Sequence, residues 1–351
     1  MKPGNLIFKE DSSIDGAILN DWHVVGFSHE LEAGKLIPVR LLGRDLVMWR
    51  QASGEAHIWE DLCMHRGARL SKGYIKDDQV VCPYHGWRYD GTSKCTLIPS
   101  TPDQPVPPRV KAFEHKLQEK YGFIWASIGE PQQELPSFPE WGAEGYRNIL
   151  TGPHDFNANG YRALENFCDV THFPFVHGGL NGVESEPDPI GDYQVFEENG
   201  SLYTTPVTVF QPQGDPRRVP VQSSYSFSCL RPLVATLRKQ IRVVDPEGNV
   251  SEHEDDYWLF FTAQPVDETH CIARVGMAMN FGNELSDEQI RARQELIFEQ
   301  DIEIVETQRP ERIPVDLRAE MHHRVDKLSV QYRKWLKDMG VTYGTIDNDW
   351  I

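Results

Sequence analysis

The chain has 351 residues, room for about two domains, and its 39% hydrophobic content with 16 Phe, 12 Tyr and 9 Trp excludes wholesale disorder. A formal net charge of −18 repels phosphate backbones and anionic lipid, so neither nucleic acid nor a membrane surface is an expected partner. No apolar run approaches the ~18–20 residues of a membrane span, and the opening MKPGNLIFKEDSS lacks the apolar stretch of a secretion signal, so the expected localisation is cytoplasmic.

Residues 1–20 read as an N-terminal arm. From 21 to 130 the runs DWHVVGF, KLIPVRLLG, RDLVMWR, EAHIWEDL, QVVCPY and YGFIWASIG are β-branched or aromatic and of strand length. Gly43-Arg44-Asp45 and Gly73 punctuate them as turns. No long helical period appears, which predicts a small all-β domain. EPQQELPSFPEW, with three prolines, suits an extended connection to a second domain over 131–351. There, 161–177 reads as helical and 192–281 as strands. The acidic run EHEDD at 252–256 reads as a solvated turn. Ser286 opens a long helix, with Gln289 closing a capping box, that runs to about Gln308 before Pro310. A last helix near 328–339 ends at Gly340. The fold class is α+β, with helices packed on an antiparallel sheet. Met277, Met279 and Phe281 read as core residues.

Six cysteines are too sparse for a disulfide scaffold, so close Cys/His spacings are tested first as metal sites. Cys63 and His65 form C-x-H; Cys82 and His85 form C-x₂-H. Structural zinc would use two Cys or two His per knuckle. Here each loop donates one Cys and one His, which suits a Rieske [2Fe–2S] cluster, thiolates on one iron and imidazoles on the other. Gly67 and Gly86 permit close backbone approach, and Trp87 and Arg66 would pack around the cluster. Respiratory Rieske domains add a second Cys to each loop; Ala68 and Tyr84 stand there instead. Cys95, Cys168, Cys229 and Cys271 read as ordinary thiols.

A second constellation, E-N-F-C-D-V-T-H-F-P-F-V-H at 165–177, spaces Asp169, His172 and His177 as D-x₂-H-x₄-H. Asp169 and His172, at i and i+3, share a helix face. His172 and His177 would diverge on a regular helix, and Pro174 is expected to distort the turn so that they converge. Two His plus one carboxylate make the facial triad of non-haem Fe(II), which leaves positions open for O₂. On the helix that follows Ser286, Ile297, Asp301, Ile304 and Gln308 form an apolar stripe, while Glu295, Glu299, Glu303 and Glu306 form a solvated one. A carboxylate on an apolar stripe needs a partner, so Asp301 is chosen as the ligand.

In this order the motifs resemble the α subunits of Rieske non-haem iron oxygenases over nearly the whole length. The ending S-V-Q-Y-R-K-W-L-K-D-M-G-V-T-Y-G is similar to the α-only branch of O- and N-demethylases and saxitoxin-pathway hydroxylases. The resemblance implies a helix-grip catalytic domain and a homotrimer in which the cluster of one subunit serves the iron of the next. Asp169 would bridge His85 to His172 across that interface, and Asn166 matches a position near the iron. It also implies electrons from a separate NAD(P)H-dependent reductase, with or without a ferredoxin; no G-x-G-x-x-G follows a strand here. The expected reaction is hydroxylation of a C–H bond of a small alkaloid or aromatic. Oxidative O- or N-demethylation with loss of formaldehyde is the alternative. Aromatic cis-dihydroxylation and a simple electron-transfer Rieske protein stand further back.

Overall fold

Strand runs joined by two-residue connections must fold back on themselves. In the computed structural model, which describes residues 14–347, Leu42 and Gly43 (φ 52° and 75°) join strands Leu36–Leu41 and Arg44–Arg50. Asp77 and Asp78 (φ 51° and 58°) join Tyr74–Lys76 and Gln79–Val81 in the same way. Positive φ at both central residues is type I′ geometry, whose twist matches that of paired strands. The first turn therefore lies earlier than Gly43-Arg44-Asp45: Arg44 and Asp45 already pair with Leu41 and Arg40.

The chain divides into two units between Glu134 and Leu135. In the first, His23–Phe27, Phe123–Ser127 and Lys116–Lys120 form one antiparallel sheet, and Leu36–Leu41, Arg44–Arg50 and Ala56–Glu60 a second. Tyr74–Lys76, Gln79–Val81, Arg88–Tyr89 and Cys95–Leu97 form a third. Lys116–Lys120 is mostly exposed and carries no apolar alternation, so only its pairing reveals it as a strand. The core gathers Val47, Trp49, Trp59, Leu70, Val80 and Tyr89 together with Cys63 and Cys82. Trp49 and Trp59 meet edge to face at 5.0 Å. Ile18, on the short helix Gly16–Leu19, is fully buried, so the chain packs as part of this unit from its first described residues. Residues 1–13 of the expected arm lie outside the described residues.

The second unit is built on an eight-stranded antiparallel sheet. Its order is Arg147–Phe156, Cys271–Met279, Asp255–Pro265, Val234–Val243, Val221–Arg231, Ser201–Thr204 and Val195–Glu198, with Val207–Gln211 also pairing to Val221–Arg231. Val221, Ser223, Tyr225, Phe227 and Cys229 alternate inward with more exposed neighbours, the period-two pattern of a half-buried strand. Helix Gly160–Phe167 packs on Asp255–Pro265, and helix Asp287–Val305 on Arg147–Phe156. Both helices and the sheet supply residues to one cavity.

Three further expectations change. The helix read over 161–177 is two helices, Gly160–Phe167 and Phe173–Val176, with a break between them. The long helix begins at its Ser286 capping box as expected, but Ile304 is 48% exposed. The buried stripe runs through Ile290, Phe298, Asp301 and Val305, because a 3.6-residue period carries the inward face to Val305. The acidic run is only partly a solvated turn. Asp255 is buried in an ion pair with Arg217 (2.7 Å), and Asp256 accepts from Arg238 (2.9 Å) and Tyr146 (2.6 Å). The last helix, Lys327–Asp338, ends before Gly340 at φ 73°. No helix among the described residues is long and apolar enough to cross a membrane.

Candidate metal centres and cavity

Two loops of the first unit repeat one backbone plan. Gly67 N–H donates to Cys63 C=O (2.9 Å), and Gly86 N–H to Cys82 C=O (3.0 Å). Cys63 N–H donates to Ala68 C=O (2.8 Å), and Cys82 N–H to Trp87 C=O (2.9 Å). Both glycines stand at positive φ, 69° and 70°, where a side chain is strained. Each loop thus buries its cysteine at the start and presents a histidine before its glycine. Cys63 and Cys82 are 1% and 2% exposed, whereas His85 is exposed. Nδ1 of His65 and Nδ1 of His85 face each other at 3.1 Å. That is close to the ~3.0 Å expected of two nitrogens bound side by side at ~2.1 Å to one ion. His65 stacks on Trp87 (centroids 4.4 Å, 7°), and the Tyr89 hydroxyl lies 3.1 Å from Cys63 Sγ. Buried sulfurs beneath partly exposed imidazoles fit a cluster ligated by Cys on one iron and His on the other.

In the second unit the break after Phe167 does the positioning. The Asp169 carboxylate accepts from the backbone N–H groups of Thr171 (3.0 Å) and His172 (3.1 Å), and from the Thr171 hydroxyl (2.7 Å). These bonds compete with helix continuation. His172 then caps the next short helix, with Pro174 in its first turn, and His177 ends it. Convergence of the two imidazoles comes from this restart rather than from a Pro174 kink, since a proline in the first turn removes no helix bond. The Nε2 atoms of His172 and His177 are 3.3 Å apart. Asp301 Oδ1 lies 3.4 Å from the first and 3.1 Å from the second. Candidate ligand atoms of all three residues lie within 4.8 Å of one another.

The protons of these histidines are assigned by their other partners. His172 Nδ1 is 2.8 Å from Asp169 Oδ2, and His177 Nδ1 is 2.9 Å from Gln300 Oε1. Both partners are acceptors, so Nδ1 carries hydrogen and Nε2 is the ring atom left facing inward. Asp301 Oδ1 is buried without a hydrogen-bond partner. Two imidazole nitrogens and a carboxylate oxygen converging on one point fit a cation. Burial alone would raise the Asp169 carboxyl, but the hydrogen bond and charge of His172 and the Thr171 bonds outweigh it and hold it below the usual range.

A partly enclosed cavity opens beside this cluster. Asn166, Phe173, Leu237, Leu259 and Phe298 contribute to its wall. Tyr225, Lys239 and Tyr257 cross its floor as paired residues on three adjacent strands. Met277 and Met279 are fully buried in the core.

Two family models match the chain: the Rieske [2Fe-2S] domain over residues 21–114, and the vanillate O-demethylase oxygenase C-terminal domain over 156–341. The chain belongs to the Rieske non-haem iron oxygenases. Among relatives of this oxygenase, methylxanthine N1-demethylase NdmA of Pseudomonas putida is 31% identical, over 93% of this chain and 92% of that one. Methylxanthine N3-demethylase NdmB of the same organism is 28% identical, over 92% and 89%. The structure of Pseudomonas putida CBB5 NdmA with caffeine superposes with a TM-score of 0.75 at 28% identity, covering 92% and 90%.

Reading the oxygenase from its residues missed Gln300, the partner of His177, although its place beside Asp301 was a usable signal. It also missed Lys239 and Arg293, which look like ordinary surface charges until the sheet and the long helix enclose them.

Proposed function

We propose that this oxygenase takes two electrons from NAD(P)H through a separate reductase, with or without a ferredoxin. One atom of O₂ enters a C–H bond of a small organic molecule, and the other leaves as water with two protons. The observation that carries the reading is the inward convergence of His172 Nε2, His177 Nε2 and Asp301 Oδ1 beside a cavity. Fe(II) held by those three residues would supply O₂ activation, and a [2Fe–2S] cluster held by Cys63, His65, Cys82 and His85 would supply one-electron storage.

The chain's own residues do the rest. Asp169 and Gln300 keep the Nδ1 protons of His172 and His177 in place and so fix both rings. Phe173, Leu237, Leu259 and Phe298 give the cavity apolar walls that exclude water around the reacting carbon. Asn166 offers an amide from the same wall beside His172. The same reading makes the protein a cytoplasmic homotrimer in which the partly exposed Asp169 meets His85 of a partner subunit.

Metal analysis and product mass test this. The oxygenase reading expects about three irons per two acid-labile sulfides; about two per two would leave only an electron carrier. With reductase, NADH and O₂, a product heavier by one oxygen is the expected outcome. The N-demethylase relatives favour a second reading, in which the carbon is an N- or O-methyl. The hydroxylated carbon then forms a hemiaminal or hemiacetal that collapses to formaldehyde and the demethylated product.

A further inference from the structure

Two cations of the cavity wall have no role in the chemistry above. Lys239 lies on the strand Val234–Val243, 4% exposed, between Tyr225 and Tyr257 on the neighbouring strands. Arg293 comes from the helix Asp287–Val305. Neither forms an ion pair among the described residues. The acidic groups of the neighbouring segment are already taken: Arg217 donates from Nε to Asp215 (2.9 Å) and pairs through Nη1 with Asp255 (2.7 Å).

Their remaining donors are plentiful. An ammonium has three N–H donors and a guanidinium five. Lys239 Nζ bonds the Gly214 carbonyl, and Arg293 uses Nη2 on the Gln213 carbonyl (2.5 Å) and Asn181 Oδ1 (3.3 Å). Burial, and then the positive charge of Arg293, push Lys239 down to about 7, with Arg217 adding to the effect and Asp215 opposing it. Burial also lowers Arg293. Two unpaired like charges enclosed in one wall are costly unless something negative joins them.

We propose that the substrate carries a carboxylate and that Lys239 and Arg293 bind it. This rests on the oxygenase reading and deepens it by naming the substrate class. The helix sets a ruler: Arg293 precedes Asp301 by about two turns, ~12 Å along the axis. A small organic acid held by its carboxylate at Lys239 and Arg293 has its other end free in the cavity that His172, His177 and Asp301 also line.

The test is anaerobic equilibrium binding to the metal-loaded full-length protein, with 6-methoxy-2-naphthoate and its neutral isostere 6-methoxy-2-naphthamide. The acid should bind at least ~10-fold tighter than the amide, as a charge-assisted pair requires. Lys239→Met and Arg293→Met should each erase that preference while amide affinity stays within ~3-fold. Lys239→Arg and Arg293→Lys should retain it, which separates lost charge from a misfolded wall. Acid affinity of the native chain should fall as pH rises through about 7, where Lys239 loses its proton, and Lys239→Arg should flatten that fall.

Equal binding of acid and amide would overturn the inference, as would a preference that survives both Met variants. Failure of both probes, and of the shorter 4-methoxybenzoate, to bind at all would overturn it too. Turnover separates this inference from the reading beneath it. Acid-selective binding without oxidised product would sink the oxygenase reading and keep the anion site. Equal kcat/KM for formaldehyde release from acid and amide would keep the reading and sink the anion site.

Discussion

The candidate cluster cradle and the candidate metal site of His172, His177 and Asp301 use similar donors but are built by opposite means. The cradle takes Cys63, His65, Cys82 and His85 from two short loops with the same backbone bonds, set in a small aromatic core. The second site joins a broken helix, His172 and His177, to a carboxylate on Asp287–Val305, more than a hundred residues further along the chain. The first is local and held by backbone. The second depends on tertiary packing and on side chains that hold its ligands, and it lies beside a cavity. A locally built site is rigid and suits electron storage. A site assembled from distant elements can share its walls with a substrate.

Removing a ligand from one site should leave the other intact, because the two sites belong to separate units. Asp301→Ala should abolish turnover and lower mononuclear iron affinity by at least ~100-fold, leaving the visible spectrum of the cluster intact. Iron per sulfide should drop by about one third, and an unchanged ratio would remove Asp301 from the ligand set. Cys82→Ala should do the reverse, bleaching the cluster while the His172/His177/Asp301 site still binds added Fe(II). Loss of both metals together would mean that the sites are not independent.

Asp169→Asn probes the link between them. Both metals should stay, but cluster oxidation in a single turnover of pre-reduced protein should slow by at least ~10-fold. A native rate would reject the bridging role and leave Asp169 as the residue that orients His172. Gln300→Leu should weaken iron binding by ~10-fold or more through His177 alone, with Gln300→Glu restoring much of it. Iron titration by dialysis measures both variants.

The smallest effects sharpen the backbone side. Gly67→Ala meets only Leu62, at 3.9 Å, so its cost is the strain of a side chain at φ 69°, about 1 kcal/mol. Gly86→Ala adds a contact with Pro99 Cγ at 3.2 Å to the same strain, so it should cost more. Chemical unfolding of the first unit, followed by cluster absorbance, should place Gly86→Ala below Gly67→Ala in stability. The reverse order would show that the two loops are not equivalent.

Much of this was legible in one dimension. C-x-H and C-x₂-H name a cluster site because loop ligands close in sequence stay close in space whatever the surrounding fold. The Ser286–Gln289 capping box located the long helix, since capping is a local hydrogen-bond exchange. Asp301 stood out because a carboxylate on an inward-facing stripe must be compensated, although the stripe runs to Val305 rather than Ile304. The strand Lys116–Lys120 was not readable, because an exposed strand needs no apolar alternation.

Residue order alone marked the candidate donors and read correctly the all-β character of the first unit and the helix that carries Asp301. Each follows from interactions within a few residues. Only the tertiary structure decided that Asp169 breaks a helix and restarts it at His172, that Asp255 is buried in an ion pair, and that Gln300 orients His177. It alone brought Lys239 and Arg293 into one cavity wall with no ion pair to either among the described residues, because whether a charge is solvated or enclosed depends on the elements packed over it, which no local pattern records.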